Sequence, residues 1–255
     1  IGGAILSALT WVYYQLPNSF WWIAWIIMTM VSLFFATFYT TLILPLFNKL
    51  EPLENGSLRT SIESYASKVN FPLTNIFVID GSKRSSKANA FFSGLGKKKA
   101  IVLYDTLMKD NTEEELTAIL AHEVGHYKKN HIKQGMFLGV IQTGVLFFLF
   151  GLLSSSSMLG EALGASSNSF HIALIGFSML YSPISLMTGI GMNLLSRKNE
   201  FEADNFAKET YNGEPLQTAL KNLSVNHLSN LTPHPSYVFV HYSHPPLIER
   251  LEALQ

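Results

Sequence analysis

The sequence predicts a mainly α-helical, multi-pass membrane protein with a polar domain that contains a small β-sheet. Three observations support this fold class. Long runs of the chain lack any charged residue, short β-type segments lie in a polar stretch between those runs, and a well-capped helix follows those segments. Of the 255 residues, 48% are hydrophobic and only 14% are charged, and the charges are confined to parts of the chain. Such a distribution is typical of membrane proteins.

The charge-free runs cover residues 20–47, 134–160 and 168–196. Each is longer than the roughly 20 apolar residues that cross a bilayer as a helix. Residues 1–16 are apolar but shorter and begin without methionine. We expect them to be the end of a spanning helix whose start precedes this sequence. A signal peptide is the competing interpretation, but neither a basic n-region nor a small-residue cleavage site is visible.

The distribution of basic residues predicts a topology. All 18 Lys and Arg fall in two polar segments, whereas the connections 17–19 and 154–167 contain none. By the positive-inside rule, both polar segments lie on the cytosolic side, of either a bacterial inner membrane or the endoplasmic reticulum. We therefore divide the chain into alternating membrane and cytosolic-side segments: 1–47 and 134–196 in the bilayer, 48–133 and 197–255 on the cytosolic side.

Composition also limits the possible partners and cofactors. The formal net charge is +0, which gives no reason to expect nucleic acid as a partner, whereas the lipid bilayer is one. The chain has no cysteine, so disulfides and thiolate metal sites are excluded. Any metal must be held by imidazole and carboxylate groups.

The first polar segment predicts a helix and a small sheet. Residues 58–69 form an amphipathic pattern, and 76–80 read as a short strand. Residues 88–93 and 100–104 look like paired strands joined by 94–99. An exposed edge here would bind an extended peptide by main-chain hydrogen bonds, and the alternative is a sheet that only packs under the next helix.

The next helix, 112–130, carries the most informative motif. Thr112 is its expected N-cap with Glu115 as the capping-box partner. His122 and His126 are four residues apart and therefore project from one face, where they can hold a single metal ion. Glu123, beside them, is positioned to take a proton from water that the metal activates.

A third metal ligand is expected from the second polar segment. Helical spacing places Glu200 and Asp204 on one face, so Glu200 can complete the site and Asp204 can accept the free N–H of a ligand imidazole. The alternative is an ordinary solvated acidic stretch, and Glu202 is expected to be solvated in either case. A metzincin motif is excluded, because Ile132 occupies its third-histidine position; His131, next to it, is interpreted as a surface histidine.

Close to the C-terminus, His244 precedes two prolines and then the start of another helix at Leu247. A histidine beside a rigid proline turn can donate a hydrogen bond to a developing oxyanion. A histidine in this context can equally be structural.

Taken together, these segments resemble the type I CAAX prenyl proteases, a branch of the M48 metallopeptidases. The resemblance covers most of residues 72–255 and rests on AHEVGH (121–126), NEFEADNFA (199–207), SKANAFF (86–92) with the IVLYDTL that follows, and HYSHPPLIERL (241–251). It implies a zincin-type fold of the gluzincin class. The family surrounds its site with seven spanning helices, and about four are present in this sequence.

The resemblance also implies a role for individual residues. It implies one Zn²⁺ per chain, bound by His122, His126 and Glu200, with Glu123 as general base. Asn89 and His244 match positions that stabilise the tetrahedral intermediate, and Asp204 and Arg250 match positions that orient the ligands.

The function expected on these grounds is that of an integral membrane zinc endopeptidase in CAAX processing. Eukaryotic members of the family remove the last three residues of prenylated proteins, whereas bacterial relatives act on membrane proteins more generally. The substrate is therefore a peptide or protein, with prenylation left open. The alternatives are a broad-specificity quality-control protease like the HtpX branch, or a transporter or scaffold in which zinc is structural.

Overall fold

The computed structural model describes residues 2–83, 90–93, 99–165 and 169–255. Within these ranges the chain is mainly helical with a small sheet, as predicted, and the sheet has four strands. The α-helices are α1 Gly2–Gln15, α2 Phe20–Phe38, α3 Leu44–Phe47, α4 Ser57–Lys68, α5 Asp105–Asp110, α6 Glu113–Lys128, α7 His131–Ser154, α8 Ser157–Ala162, α9 Phe170–Thr210, α10 Gly213–Asn226, α11 Pro235–His241 and α12 Leu247–Ala253. The strands are β1 Leu50–Pro52, β2 Leu73–Ile79, β3 Ala90–Ser93 and β4 Lys99–Tyr104.

The described residues include three helical segments long and apolar enough to cross a membrane. They are Pro17–Phe38, His131–Ser154 and Phe170–Thr210. Large apolar side chains on them are exposed, for example Met30, Phe137 and Met187. Such an apolar surface suits contact with lipid, so the predicted membrane character is confirmed.

The chain separates into two compact units. The first comprises Ile1–Phe34 and Lys133–Gly189. Its core is aromatic, and Phe20, Phe150 and Phe170 pack edge-to-face or tilted against one another. Close helix packing occurs where glycines meet tryptophan side chains: a Cβ at Gly151 would lie 2.8 Å from the Cβ of Trp21. Trp21 therefore packs inside this helical unit, where its ring also contacts Phe148 edge-to-face.

The second unit comprises Phe35–Ile132 and Ile190–Gln255 and contains the sheet. The strand order is β1-β2-β4-β3. β2 and β4 are parallel, and β1 and β3 flank them in antiparallel orientation. The predicted pairing of β3 with β4 is confirmed, with Phe91 opposite Val102. β1 was not predicted, because three residues are too short to show an alternating pattern.

The central strand β4 is buried on both faces, which explains its continuous apolar sequence. Ile101 and Leu103 pack against Leu116 and Leu120 of α6. On the opposite face, Val102 packs with residues of α3 and β2. One face of β4 therefore packs against α6. The N-terminus of α6 has the predicted capping box between Thr112 and Glu115.

Helix α9 runs across the predicted boundary between the membrane and cytosolic-side segments at residues 196 and 197. It continues without interruption for 41 residues, so the acidic motif that contains Glu200 and Asp204 lies on the same helix as the third apolar run. Pro183 lies inside this helix. Helices α5, α8, α10 and α11 were not predicted; three of them have no more than seven residues, too few for a periodic pattern.

Candidate metal centre

Helices α6 and α9 bring His122, His126 and Glu200 together. One candidate ligand atom from each residue lies within 4.8 Å of the other two. The Nε2 atoms of the two histidines are 3.1 Å apart, and they lie 3.6 Å and 3.4 Å from the nearest carboxylate oxygens of Glu200. His122 and Glu200 are buried, at 8% and 6% exposure.

These three separations fit a tetrahedral metal ion. With metal–ligand distances of about 2.0–2.1 Å, the edges of a tetrahedron measure about 3.3–3.4 Å. Two imidazole nitrogens and a carboxylate that face one another at such distances form a donor set suited to zinc. The residues present therefore fit the metal that the sequence predicted.

Asp204 and Arg250 form a buried pair behind this triad. The Nδ1 of His122 donates to Asp204 Oδ1 at 2.8 Å, which leaves Nε2 of the ring free to bind a metal. The guanidinium of Arg250 donates to both oxygens of Asp204, at 2.7 Å and 2.6 Å, and its Nη1 lies 3.4 Å from Glu200. Arg250, on α12, thus links two acidic residues of α9.

Glu123 lines the same cavity as the three candidate ligands. Burial raises the pKa of its carboxyl above the ordinary value and outweighs the opposing effect of the two neighbouring imidazoles. A carboxyl group with a raised pKa exchanges protons more readily near neutral pH.

His244 follows α11 and lies at the rim of the cavity. Its side chain is 65% exposed, and its Nε2 lies 3.4 Å from Glu200 Oε1. The hydroxyl of Ser243 lies 3.1 Å from the Nδ1 of the same ring. Asn89 lies outside the described residues.

The cavity measures about 660 Å³. One wall is polar and consists of the residues above. The other wall is apolar and comes from α5, α6 and α10, with Leu107, Ile119, Leu216, Leu220 and Leu223. The α10 wall was not predicted, although Asn212 as N-cap and the leucine spacing that follows it are signals of an amphipathic helix.

The prediction for one neighbouring residue is wrong, and that for another is incomplete. His131 is not a surface histidine: it is 7% exposed, and its Nδ1 lies 3.0 Å from Nδ1 of His126. Glu202 is not simply solvated, because its Oε2 lies 3.1 Å from Nε2 of His131. The polar, lysine-rich surroundings of His131 gave no sign of this contact, which arises because Asn130, with φ 61°, interrupts the helix immediately before His131. Asparagine, a frequent left-handed residue at helix ends, was the available signal.

Family models match almost the whole chain. Residues 52–255 match peptidase family M48, and residues 1–49 match the CAAX prenyl protease N-terminal family, described as five membrane helices.

Individual relatives agree with this assignment. The chain is 40% identical to CAAX prenyl protease 1 of Saccharomyces cerevisiae over 270 residues, covering 100% of this chain and 60% of the relative. It is 42% identical to the CAAX prenyl protease 1 homolog of Arabidopsis thaliana, covering 90% of this chain and 54% of that protein.

A solved structure is also similar over the full chain. The crystal structure of S. mikatae Ste24p superposes with a TM-score of 0.91 at 39% identity, covering 100% of this chain and 63% of that one. The chain thus spans about three fifths of these relatives' length. Because the M48 model alone matches far more than half of the sequence, this chain belongs to peptidase family M48.

Proposed function

We propose that this protein is an integral membrane, zinc-dependent endopeptidase. The observation that carries the proposal is the convergence of His122, His126 and Glu200 at tetrahedral spacing, beside Glu123 in a cavity. Membership of a metallopeptidase family implies a metal and supports this interpretation. The donor set of two imidazoles and one carboxylate favours zinc.

In the proposed mechanism, His122, His126 and Glu200 would hold the metal. Zinc bound there would supply Lewis acidity, which lowers the pKa of water to near 7. Glu123 takes a proton from the attacking water and delivers it to the nitrogen of the leaving amine. Asp204 fixes the tautomer of His122, and Arg250 keeps Asp204 charged and oriented.

Two further residues are proposed to stabilise the oxyanion. His244, at the cavity rim, has an imidazole that can donate to oxygen. Asn89 is proposed for the same role from its place in the SKANAFF motif. Each donor of this kind contributes about 10²- to 10³-fold to kcat.

We propose that the substrate is a peptide that binds in extended form and is cleaved near its own C-terminus. Ala90 of β3 lines the cavity, and among the described residues β3 is the last strand of the sheet, so a peptide can add to its outer edge. The apolar wall from α10 would receive apolar side chains. Similarity to proteins named CAAX prenyl protease 1 supports prenylated C-terminal peptides as the substrate class.

A catalytic site is favoured over a structural zinc site. A structural zinc is enclosed by four protein ligands, whereas within the described residues the candidate group has three members and lines an open cavity. Glu123 has no function in a purely structural site. We therefore rank a transporter or scaffold below the protease.

The test is cleavage of a fluorogenic peptide by the purified protein, with and without a farnesylated cysteine. Glu123→Gln is expected to retain zinc and to lose at least about 10²-fold in kcat. Glu114→Gln, at an exposed position on the same helix, is the matched control and is expected to behave like wild type. Equal cleavage by wild type and Glu123→Gln contradicts the proposal, and preference for the farnesylated peptide identifies the substrate class.

We further propose that both polar segments face the cytosol, because all 18 basic residues fall in them. The chain has no cysteine, so single cysteines can be introduced without background labelling. Glu54→Cys and Ser155→Cys, both at exposed positions, should react with a membrane-impermeant maleimide from opposite sides of sealed vesicles. Labelling of both from one side contradicts this topology.

A further inference from the structure

We infer that His131 and Glu202 position the ligand His126 through a chain of two hydrogen bonds. The inference rests on the zinc site proposed above. His131 and Glu202 lie outside the set of candidate ligands, and neither belongs to the catalytic group assigned above. The chain runs from Nδ1 of His126 to Nδ1 of His131 at 3.0 Å, and from Nε2 of His131 to Oε2 of Glu202 at 3.1 Å.

The proton positions along this chain follow from the metal-facing atom. His126 directs Nε2 towards His122 and Glu200, so that atom carries the lone pair that binds a metal. The proton of a neutral His126 ring is then on Nδ1, which donates to Nδ1 of His131. His131 must accept at Nδ1 and therefore carries its own proton on Nε2, which donates to the carboxylate of Glu202.

In both hydrogen bonds the donor is therefore the residue nearer the metal site, and the final acceptor is the carboxylate of Glu202. Such outer hydrogen bonds hold the ring of a ligating histidine in one orientation and increase its basicity, which strengthens metal binding. His122 has the same support in a shorter form, because its Nδ1 donates directly to Asp204. Both ligand histidines are thus linked to an acidic residue of α9, and His126 reaches its acid through a second imidazole.

The backbone shows how His131 comes to lie beside His126. In a continuous helix these two residues would be separated by about 500° of rotation and would point in different directions. Helix α6 ends at Lys128, Asn130 adopts φ 61°, and α7 begins at His131. This left-handed residue turns the chain so that the imidazole of His131 faces back towards α6, where it is 7% exposed.

The experiment measures zinc affinity of the full chain in detergent by competition with a chromophoric chelator. His131→Phe, which removes the acceptor but keeps a ring, is expected to raise the Kd for zinc by about 10- to 100-fold. His131→Asn places an amide oxygen near the former Nδ1 and should recover part of that loss. Glu202→Gln should raise the Kd by less than about 10-fold, because an amide oxygen still accepts.

A spectroscopic measurement separates positioning from a general structural effect. Cobalt substituted for zinc should show a shifted visible absorption band in His131→Phe, while the melting temperature of the metal-free protein stays close to that of wild type. Glu209→Gln, at an exposed position of the same helix, is the matched control for Glu202→Gln and should leave the Kd and the band unchanged.

The outcomes distinguish this inference from the proposed function. If wild type retains zinc and cleaves peptide while His131→Phe and Glu202→Gln have the wild-type Kd and cobalt spectrum, the inference alone is overturned. If wild type binds no zinc, the proposed function and the inference are both overturned. Should His131→Phe fail to fold, Glu202→Leu decides, because it removes the acceptor at a partly exposed position that tolerates substitution, and an unchanged zinc Kd in that variant overturns the inference.

Discussion

Gly125 of α6 lies directly against Ala203 of α9. A Cβ built on Gly125 would be 3.0 Å from the Cα of Ala203 and 3.1 Å from its carbonyl oxygen, closer than ordinary van der Waals contact. Gly125 precedes the candidate ligand His126, and Ala203 lies between Glu200 and Asp204. The close approach of the two backbones therefore brings the candidate ligands of α6 and α9 within reach of one another.

Gly125→Ala is expected to separate the two helices. The added methyl meets backbone atoms of Ala203, which cannot rotate away, and overpacking of this kind costs typically about 1–3 kcal/mol of stability. Because the same displacement moves Glu200 away from the histidines, zinc affinity should fall as well. Chemical unfolding and chelator competition measure the two effects.

Gly139→Ala provides the control for this substitution. Gly139 is also helical, and a Cβ there would meet nothing within 4 Å. Alanine has a higher helix propensity than glycine, so this variant should be neutral or slightly stabilised. Wild-type zinc affinity and stability in Gly125→Ala would contradict the role given to this contact.

Arg250→Lys tests whether the fork of the guanidinium matters as well as its charge. Arg250 donates to both oxygens of Asp204, which is 1% exposed, and a lysine ammonium cannot reproduce this planar two-bond contact. We expect lower stability and zinc binding about 10-fold weaker, since mutation of outer partners of metal ligands typically costs 10- to 100-fold.

Arg250→Met removes the charge and leaves the buried carboxylate of Asp204 without its cationic partner. Loss of one partner of a buried pair costs about 3–5 kcal/mol, so this variant should be clearly less stable than Arg250→Lys. Thermal unfolding of the metal-free protein measures the difference. Equal melting temperatures for the two variants would show that the charge of Arg250 is unimportant to Asp204.

The part of the site that sequence predicted best depends on spacing within single helices. His122 and His126 are four residues apart in a capped helix, as are Glu200 and Asp204 in α9, so local geometry places each pair on one face. These pairs could be read from the sequence because no distant residue alters helical periodicity. The coarse architecture followed in the same way from the charge-free runs and the β-type segments.

The contacts that periodicity in the sequence does not predict depend on a single backbone conformation or on residues distant in sequence. His131 reaches His126 only because Asn130 adopts a left-handed conformation. Arg250 reaches Asp204 from a helix remote in sequence, and no local pattern predicts that pair, so it was expected from family resemblance alone. Periodicity describes one element at a time, whereas these contacts need the relative placement of several.

Asp105 predicts a pH-dependent contribution to stability. Its carboxylate accepts hydrogen bonds from the backbone N–H groups of Gly81, Ser82 and Thr106. Hydrogen bonding from Ser82, with the other two amides, holds the pKa of Asp105 below its ordinary value. Because the folded-state pKa is lowered, the stabilisation is fully present above the unfolded pKa of about 3.9 and is lost as pH falls through the folded value.

Asp105→Asn is the matching variant, because an amide oxygen still accepts but does not titrate. Wild type should be more stable than this variant at pH 7, and the difference in melting temperature should shrink as pH falls below about 4. Asp110→Asn, at an exposed position, is the control for general charge effects. If the difference in melting temperature between the two proteins grew as the pH fell, that result would contradict the lowered pKa of Asp105.

Arg197 is expected to position the segment that contains His244. Its guanidinium donates to the backbone carbonyls of Val238, within α11, at 3.0 Å, and of Tyr242, directly after α11. Asn193, one turn earlier on α9, donates to the carbonyl of Val240 at 2.8 Å. Because Tyr242 is close in sequence to His244, these bonds hold the proposed oxyanion donor at the cavity rim.

Arg197→Gln should therefore lower kcat by up to about 100-fold, the effect of displacing a catalytic group by roughly 1 Å. Zinc affinity should stay at the wild-type value, since Arg197 contacts carbonyl groups of α11. Lys208→Gln, on the same helix, is the control and should keep wild-type activity. If Arg197→Gln and His244→Ala act through the same donor, the double variant should be no slower than His244→Ala; additive losses would mean that Arg197 acts elsewhere.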